Sequence, residues 1–183
     1  ERAAELAREL DRPLVVLEAL RIGYPHASDR LHAFVLQGMA DNARRLDGKA
    51  TYHPYVERAA GEGKGLLEAL AAKACVVVGD DFPAFFLPRM LEAAGKRLGE
   101  LGVRLEVVDA SCIVPFRLAG KDFPTAYAYR RFLQKNLVAW LEKLPAENPL
   151  RRLPAPVPLP RDITRRWPAA TLGELDRPGA LVS

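Results

Sequence analysis

The chain has 183 residues, of which 49% are hydrophobic and 27% charged, with a formal net charge of +4. This bounds it to one ordinary soluble domain and a tail, able to bury a core. No apolar run approaches the ~20 residues of a membrane span, and the charged, helical start "ERAAELAREL" is not a secretory signal. A mildly basic balance permits a polyanionic partner without arguing for one.

In chain order, residues 1–10 predict a helix with Leu6 and Leu10 on one face. "RPLVVLEAL" (12–20) is a short apolar run behind Pro13, suited to a strand covered on both faces. Ser28 is placed to cap the next helix, with Asp29 in its first turn. That helix runs to about Leu46, with Leu31, Val35, Met39, Ala43 and Leu46 as its inner stripe. "KATYHPYVE" (49–57) predicts an edge strand, where Pro54 is tolerated.

"GEGKG" (61–65) feeds a short helix. It lacks the spacing of a Walker loop, so it reads as a helix entry or a simple anion site with Lys64. "CVVVGD" (75–80) is the clearest buried strand. Pro88 sits in the first turn of a helix striped by Leu87, Leu91, Ala94, Leu98 and Leu101, and Gly102 ends it. "RLEVVDAS" (104–111) is a further strand. A long helix opens at Pro124 or Thr125, with Tyr129, Leu133, Leu137, Trp140 and Leu144 facing inward. The prolines of "PAPVPLP" then favour an extended linker or surface-hugging arm with no core of its own.

Alternating strands and helices imply an α/β fold, a parallel sheet with helices on both faces. Three principal strands, near 13–19, 75–80 and 104–109, are expected to be parallel. In such sheets ligands bind beyond the carboxyl ends of the strands. "GDDFP" (79–83) lies at such an end, as do Arg21 and Asp109. Asp80, Asp81 and Asp109 either accept hydrogen bonds from a ligand or serve turn chemistry, with Asp81 solvated or paired to Arg89. Phe82, Phe85 and Phe86 either stack on a flat ligand or pack on the core. "YRRFLQK" (129–135) reads as a solvated basic face. Cys75 and Cys112 read as small buried thiols in a reducing compartment. His26, His32 and His53 have no metal-ligand spacing, and no nucleophile–base constellation is evident.

Several segments then resemble one family in order. "PLVVLEALRIGYPHASDRLHAFVLQGMADNARRL", "YHPYVE", "GEGKGLLEALA", "VVVGDDFPAFFLPRM", "VVDASCIVPFR", "FPTAYAYRRFLQ" and "ITRRWP" follow the pattern of class II cyclobutane-pyrimidine-dimer DNA photolyases, over about residues 5 to 168. The resemblance implies the amino-terminal Rossmann-like antenna domain (1–146) and a proline-rich interdomain linker (147–183). It implies a deazaflavin or folate chromophore in this domain, near Arg21, Asp80, Asp81, Phe82 and Asp109. FAD, light-driven electron transfer and the damaged-DNA contacts would belong to a helical carboxy-terminal domain that this sequence lacks. The full-length protein would then be a cytoplasmic carbon–carbon lyase without membrane attachment, and this stretch alone would be inactive, with no catalytic residue and no metal.

Family members begin with a strand and an arginine-bearing loop before the helix that opens this chain. In the usual 3-2-1-4-5 order that strand is central, so a gap is expected between the strands at 13–19 and 75–80. The start without methionine fits a processed chain or a fragment. The alternative is a non-enzymatic nucleotide- or flavin-binding α/β module of the same superfold.

Overall fold

A computed structural model describes residues 1–142 and 145–176. The chain divides into two compact units, each discontinuous in sequence. One holds residues 1–2 and 71–149; the other holds residues 3–70 with the described residues from 150 on.

The second of these is built on a βαβ crossover: β1 (Val15–Leu20), α2 (Asp29–Leu46) and β2 (Thr51–Val56), preceded by α1 (Arg2–Glu9). β1 and β2 are parallel, from Val15 opposite Thr51 to Leu20 opposite Val56. Successive strand residues point to opposite faces, and β2 shows this plainly. Val56 joins Leu20, Leu36, Met39, Ala40 and Leu175 in one core cluster. Its neighbour Tyr55 joins Leu66, Ile163 and Trp167 in another. The sheet is therefore covered on both faces, by α2 on one and by α3 (Leu66–Ala71) on the other.

The expected arm supplies part of each cover. It carries α6 (Arg161–Arg166), which brings Ile163 and is followed directly by Trp167, and α7 (Leu172–Leu175), which brings Leu175. The Trp167 indole N–H donates to the Glu62 carbonyl at 2.9 Å. Ala170 N–H donates to the Pro54 carbonyl at 2.8 Å, satisfying an acceptor on the outer edge of β2. Residues 150–176 thus hug the β1–β2 sheet, as the surface-hugging alternative has it, and the core they help close is the sheet's rather than one of their own. Ile163 and Trp167 are a single helically spaced pair between Pro160 and Pro168, too short a pattern to mark a buried face in the sequence.

The first-named unit repeats the crossover with β3 (Val76–Asp80), α4 (Leu87–Glu100) and β4 (Arg104–Val108). Its strands are also parallel, from Val76 opposite Arg104 to Asp80 opposite Val108. Gly79 has a reason: a Cβ there would lie 3.2 Å from Leu91 Cδ1, so glycine lets α4 sit close on the strand. A 3₁₀ turn (Phe116–Ala119) and α5 (Ala126–Leu141) follow.

The sheet prediction thus holds in a coarser form. The described residues form two separate parallel pairs, β1–β2 and β3–β4, and β1 is not bonded to β3. The caps at Ser28 and Thr125 are present, accepting from Leu31 N–H and Ala128 N–H, and Pro88 and the left-handed Gly102 stand where expected.

Other expectations shift. β1 and β3 are mostly half-buried rather than fully covered, because each has one strand partner. In α1 the buried residues are Ala4 and Ala7, while Leu10 is 46% exposed. In α2 the inner stripe is His32, Leu36, Met39 and Ala40, turned by one position from the expected set. In α5 no residue is fully buried, and Leu144 lies outside the described residues. Cys75 and Cys112 are exposed, one just before β3 and the other in the loop after β4. None of the described helices is long and apolar enough to cross a membrane.

Candidate functional site

The carboxyl end of the β3–β4 pair gathers Asp80, Asp81 and Asp109, with Phe82 next along the chain. Asp81 continues the ladder, its N–H donating to the Val108 carbonyl at 2.8 Å. Its carboxylate is 8% exposed and meets Arg117 with both oxygens. Nη2 of Arg117 donates to Oδ1 at 2.7 Å, and Nε donates to Oδ2. This bidentate pairing holds the Asp81 carboxyl below its ordinary range and raises the guanidinium. The expected partner Arg89 is therefore replaced by Arg117, which the 3₁₀ turn presents across the strand end.

The other two acids organise the loop that carries Arg117. Asp109 accepts from Ser111 N–H at 3.0 Å and from Phe116 N–H at 2.7 Å. Asp80 accepts from Ala110 N–H at 3.3 Å. Turn chemistry is thus what these carboxylates do within the chain. Arg117 and Asp80 face solvent here: the Arg117 side chain is 70% exposed and rests over the Phe116 ring, 5.3 Å from its centroid, and Asp80 is exposed beside it. Phe82 is 39% exposed, and Phe85 stands in a left-handed conformation with its ring 4.6 Å from that of Phe86. The strand end therefore offers one tethered guanidinium and exposed aromatic rings.

Arg21 belongs to the other unit, where it follows β1 and is exposed. At that strand end the notable residue is Glu57, which is 3% exposed. Its carboxylate accepts from Ile22 N–H at 3.1 Å, Gly61 N–H at 2.9 Å and Gly63 N–H at 3.4 Å. The Ile22 amide follows β1, and the Gly61 and Gly63 amides belong to the glycine-rich turn. Glu57 supplies the anion from within the protein, so the turn serves as a helix entry. Glu57 and Arg117 were both missed as site-shaping residues. Each had a signal: Glu57 closes "YHPYVE" just as the aspartates close theirs, and Arg117 ends "VVDASCIVPFR".

On β2, His53 is 2% exposed, and its Nε2 has no hydrogen-bond partner. Burial lowers its pKa, opposed by a hydrogen bond to the Trp167 backbone. The Tyr52 hydroxyl donates to Glu18 at 2.5 Å, and burial with this contact raises its pKa. Among the described residues no cluster of three or more His, Cys, Asp or Glu side chains is arranged to hold a metal ion. No protein-family model and no curated protein matches this chain.

Proposed function

We propose that this chain is the antenna and scaffold domain of a class II cyclobutane-pyrimidine-dimer DNA photolyase, whose FAD, damaged-DNA contacts and electron transfer lie in a helical domain outside this sequence. The observation that carries the reading is the ordered run of seven motifs between residues 5 and 168. The strand pairing supports it: β1 and β3 head two separate parallel pairs, as expected of a Rossmann-like sheet interrupted between them. In this reading a central strand from outside the sequence completes one sheet. That strand would satisfy the free edges of β1 and β3.

A deazaflavin or folate antenna is placed by this reading beyond β3 and β4, near Asp80, Asp81, Phe82 and Asp109. Arg21 is in the other unit, and the proposal rests on the β3–β4 end alone. There the exposed rings supply a stacking surface, and Arg117, oriented by Asp81, supplies a donor fork for an anionic oxygen.

The test uses the full-length protein. It should carry stoichiometric FAD and clear pyrimidine dimers from DNA under blue light, whereas the 183-residue chain alone should do neither. FAD bound to the chain alone overturns the reading, and so does a full-length protein without light-driven repair. Titration of each chromophore, wild type against Asp81→Ala, tests the antenna. Loss of the contact should weaken binding by ~1–3 kcal/mol, roughly five- to 150-fold. Unchanged affinity removes Asp81 from the site, and no binding to the wild type leaves the domain a scaffold.

A further inference from the structure

The chain's surplus of charge is not spread over it. The whole sequence carries 27 basic and 23 acidic side chains, a formal +4. Within residues 151–166 stand Arg151, Arg152, Arg161, Arg165 and Arg166 against the single Asp162, which is already +4. The rest of the chain is formally neutral. No lysine occurs in the segment. The cations are all guanidiniums, whose planar fork matches phosphate oxygens in pairs.

Among the described residues these arginines form no ion pair. Elsewhere in the same unit the exposed arginines Arg44 and Arg58 are matched to Asp176 and Glu174. No carboxylate partners Arg151, Arg152, Arg161 or Arg165 among the described residues. Arg166 lies over the Trp167 ring at 4.4 Å. At the other end of the segment the Arg8 side chain donates to the Arg151 carbonyl at 3.2 Å, tying the segment to α1.

The free arginines are held in place by buried neighbours. Ile163 and Trp167 are 2% and 4% exposed, so α6 is anchored by one side. Arg161 and Arg165 are one helical turn apart on the exposed side, where with Asp162 and Thr164 they border an open surface depression. The Arg152 and Arg161 backbones are separated by nine residues, at most roughly 28 Å at ~3.1 Å per extended residue. Such a span suits successive phosphates along a strand better than one small anion.

The geometry points to residues 151–166 as a binding surface for the phosphodiester backbone of a nucleic acid, gripped by Arg151, Arg152, Arg161 and Arg165 without reading sequence. It goes beyond the photolyase reading, since it concerns neither lesion, FAD nor antenna and holds if that reading fails. Backbone contacts of this kind add affinity and register, and they make binding depend on salt.

The experiment is fluorescence anisotropy of the chain with a labelled, undamaged duplex of roughly 20 base pairs in the dark, between about 50 and 200 mM salt. Four phosphate contacts give a slope of log affinity against log salt near −3.6, at ~0.9 per contact. Arg161→Gln with Arg165→Gln should flatten the slope by about 2 and weaken binding roughly 10- to 100-fold near 0.1 M salt. The paired change to Lys should keep the slope. Arg130→Gln with Arg131→Gln, an equal charge loss on exposed positions of α5, should leave it unchanged. A Gln pair at 161 and 165 without effect overturns the proposal. So does a Lys pair as shallow as the Gln pair, or a control pair with the same effect. Displacement of the duplex by inorganic phosphate at matched ionic strength assigns the surface to a free anion instead. Equal competition by polyglutamate assigns it to an acidic polypeptide. Either result also overturns the nucleic-acid assignment.

Discussion

Trp167 tests whether the carboxy-terminal arm belongs to the core of the β1–β2 unit. It is 4% exposed, clusters with Tyr55, Leu66 and Ile163, and donates its indole N–H to Glu62. Gly65 adopts φ +90 beneath it, and a Cβ there would come within 3.4 Å of the indole. Burying roughly 200 Å² of indole at ~25 cal/mol per Å² is worth at most ~5 kcal/mol. Residual burial in the denatured chain trims that to ~3–4.5 kcal/mol, and the hydrogen bond adds ~1 kcal/mol. Trp167→Ala is therefore expected to cost about 5 kcal/mol, at the upper end of the usual range for large-to-small core changes. The midpoint of thermal unfolding should fall by roughly 10–20 °C at ~2–4 °C per kcal/mol. Trypsin reads the same event locally, since the segment offers cleavage after Arg151, Arg152, Arg161, Arg165 and Arg166. Cleavage there should accelerate before the rest of the chain is cut. Trp140→Ala, on a helix with no fully buried residue, should cost less. A Trp167→Ala loss under ~0.5 kcal/mol with unchanged trypsin cutting is what a passive linker predicts. That result would refute the packing argument.

Two further predictions concern pH. Arg117 holds the Asp81 carboxyl below its ordinary value of 3.8, so the pair's contribution is complete above that value and is lost as pH falls towards the lower native pKa. Urea midpoints of the wild type should drop more steeply than those of Asp81→Asn as pH falls below about 4; parallel curves would mean that the pair adds nothing. Burial lowers the pKa of His53 from 6.5, so its effect has the same sense at higher pH. Stability is complete above pH 6.5 and declines below it as the unfolded state takes up the proton first. His53→Gln should abolish the part of this decline that lies between about pH 6.5 and 5.

The sequence by itself determined the local elements. Apolar runs of strand length, helical stripes, Ser28 and Thr125 as caps, and Pro88 and Gly102 as boundaries act within a few residues of themselves, so they are legible without tertiary context. The two parallel crossovers follow as well, because each strand pair has a helix between its members. The candidate site was legible only in part: the aspartates fell at strand ends as read, but their partners did not. Arg117 lies 36 residues from Asp81, and the amides around Glu57 come from both a strand end and a glycine turn. A carboxylate at a strand end has the same sequence signature whether it awaits a ligand or already holds a loop. The tertiary structure showed the donors that the chain itself brings to these carboxylates, which no local pattern reveals. It also decided the fate of the arm. Ile163 and Trp167 stand four residues apart and bury on one face, but a single helically spaced pair does not mark a buried stripe, and Leu175 goes to the other face of a sheet formed more than a hundred residues earlier.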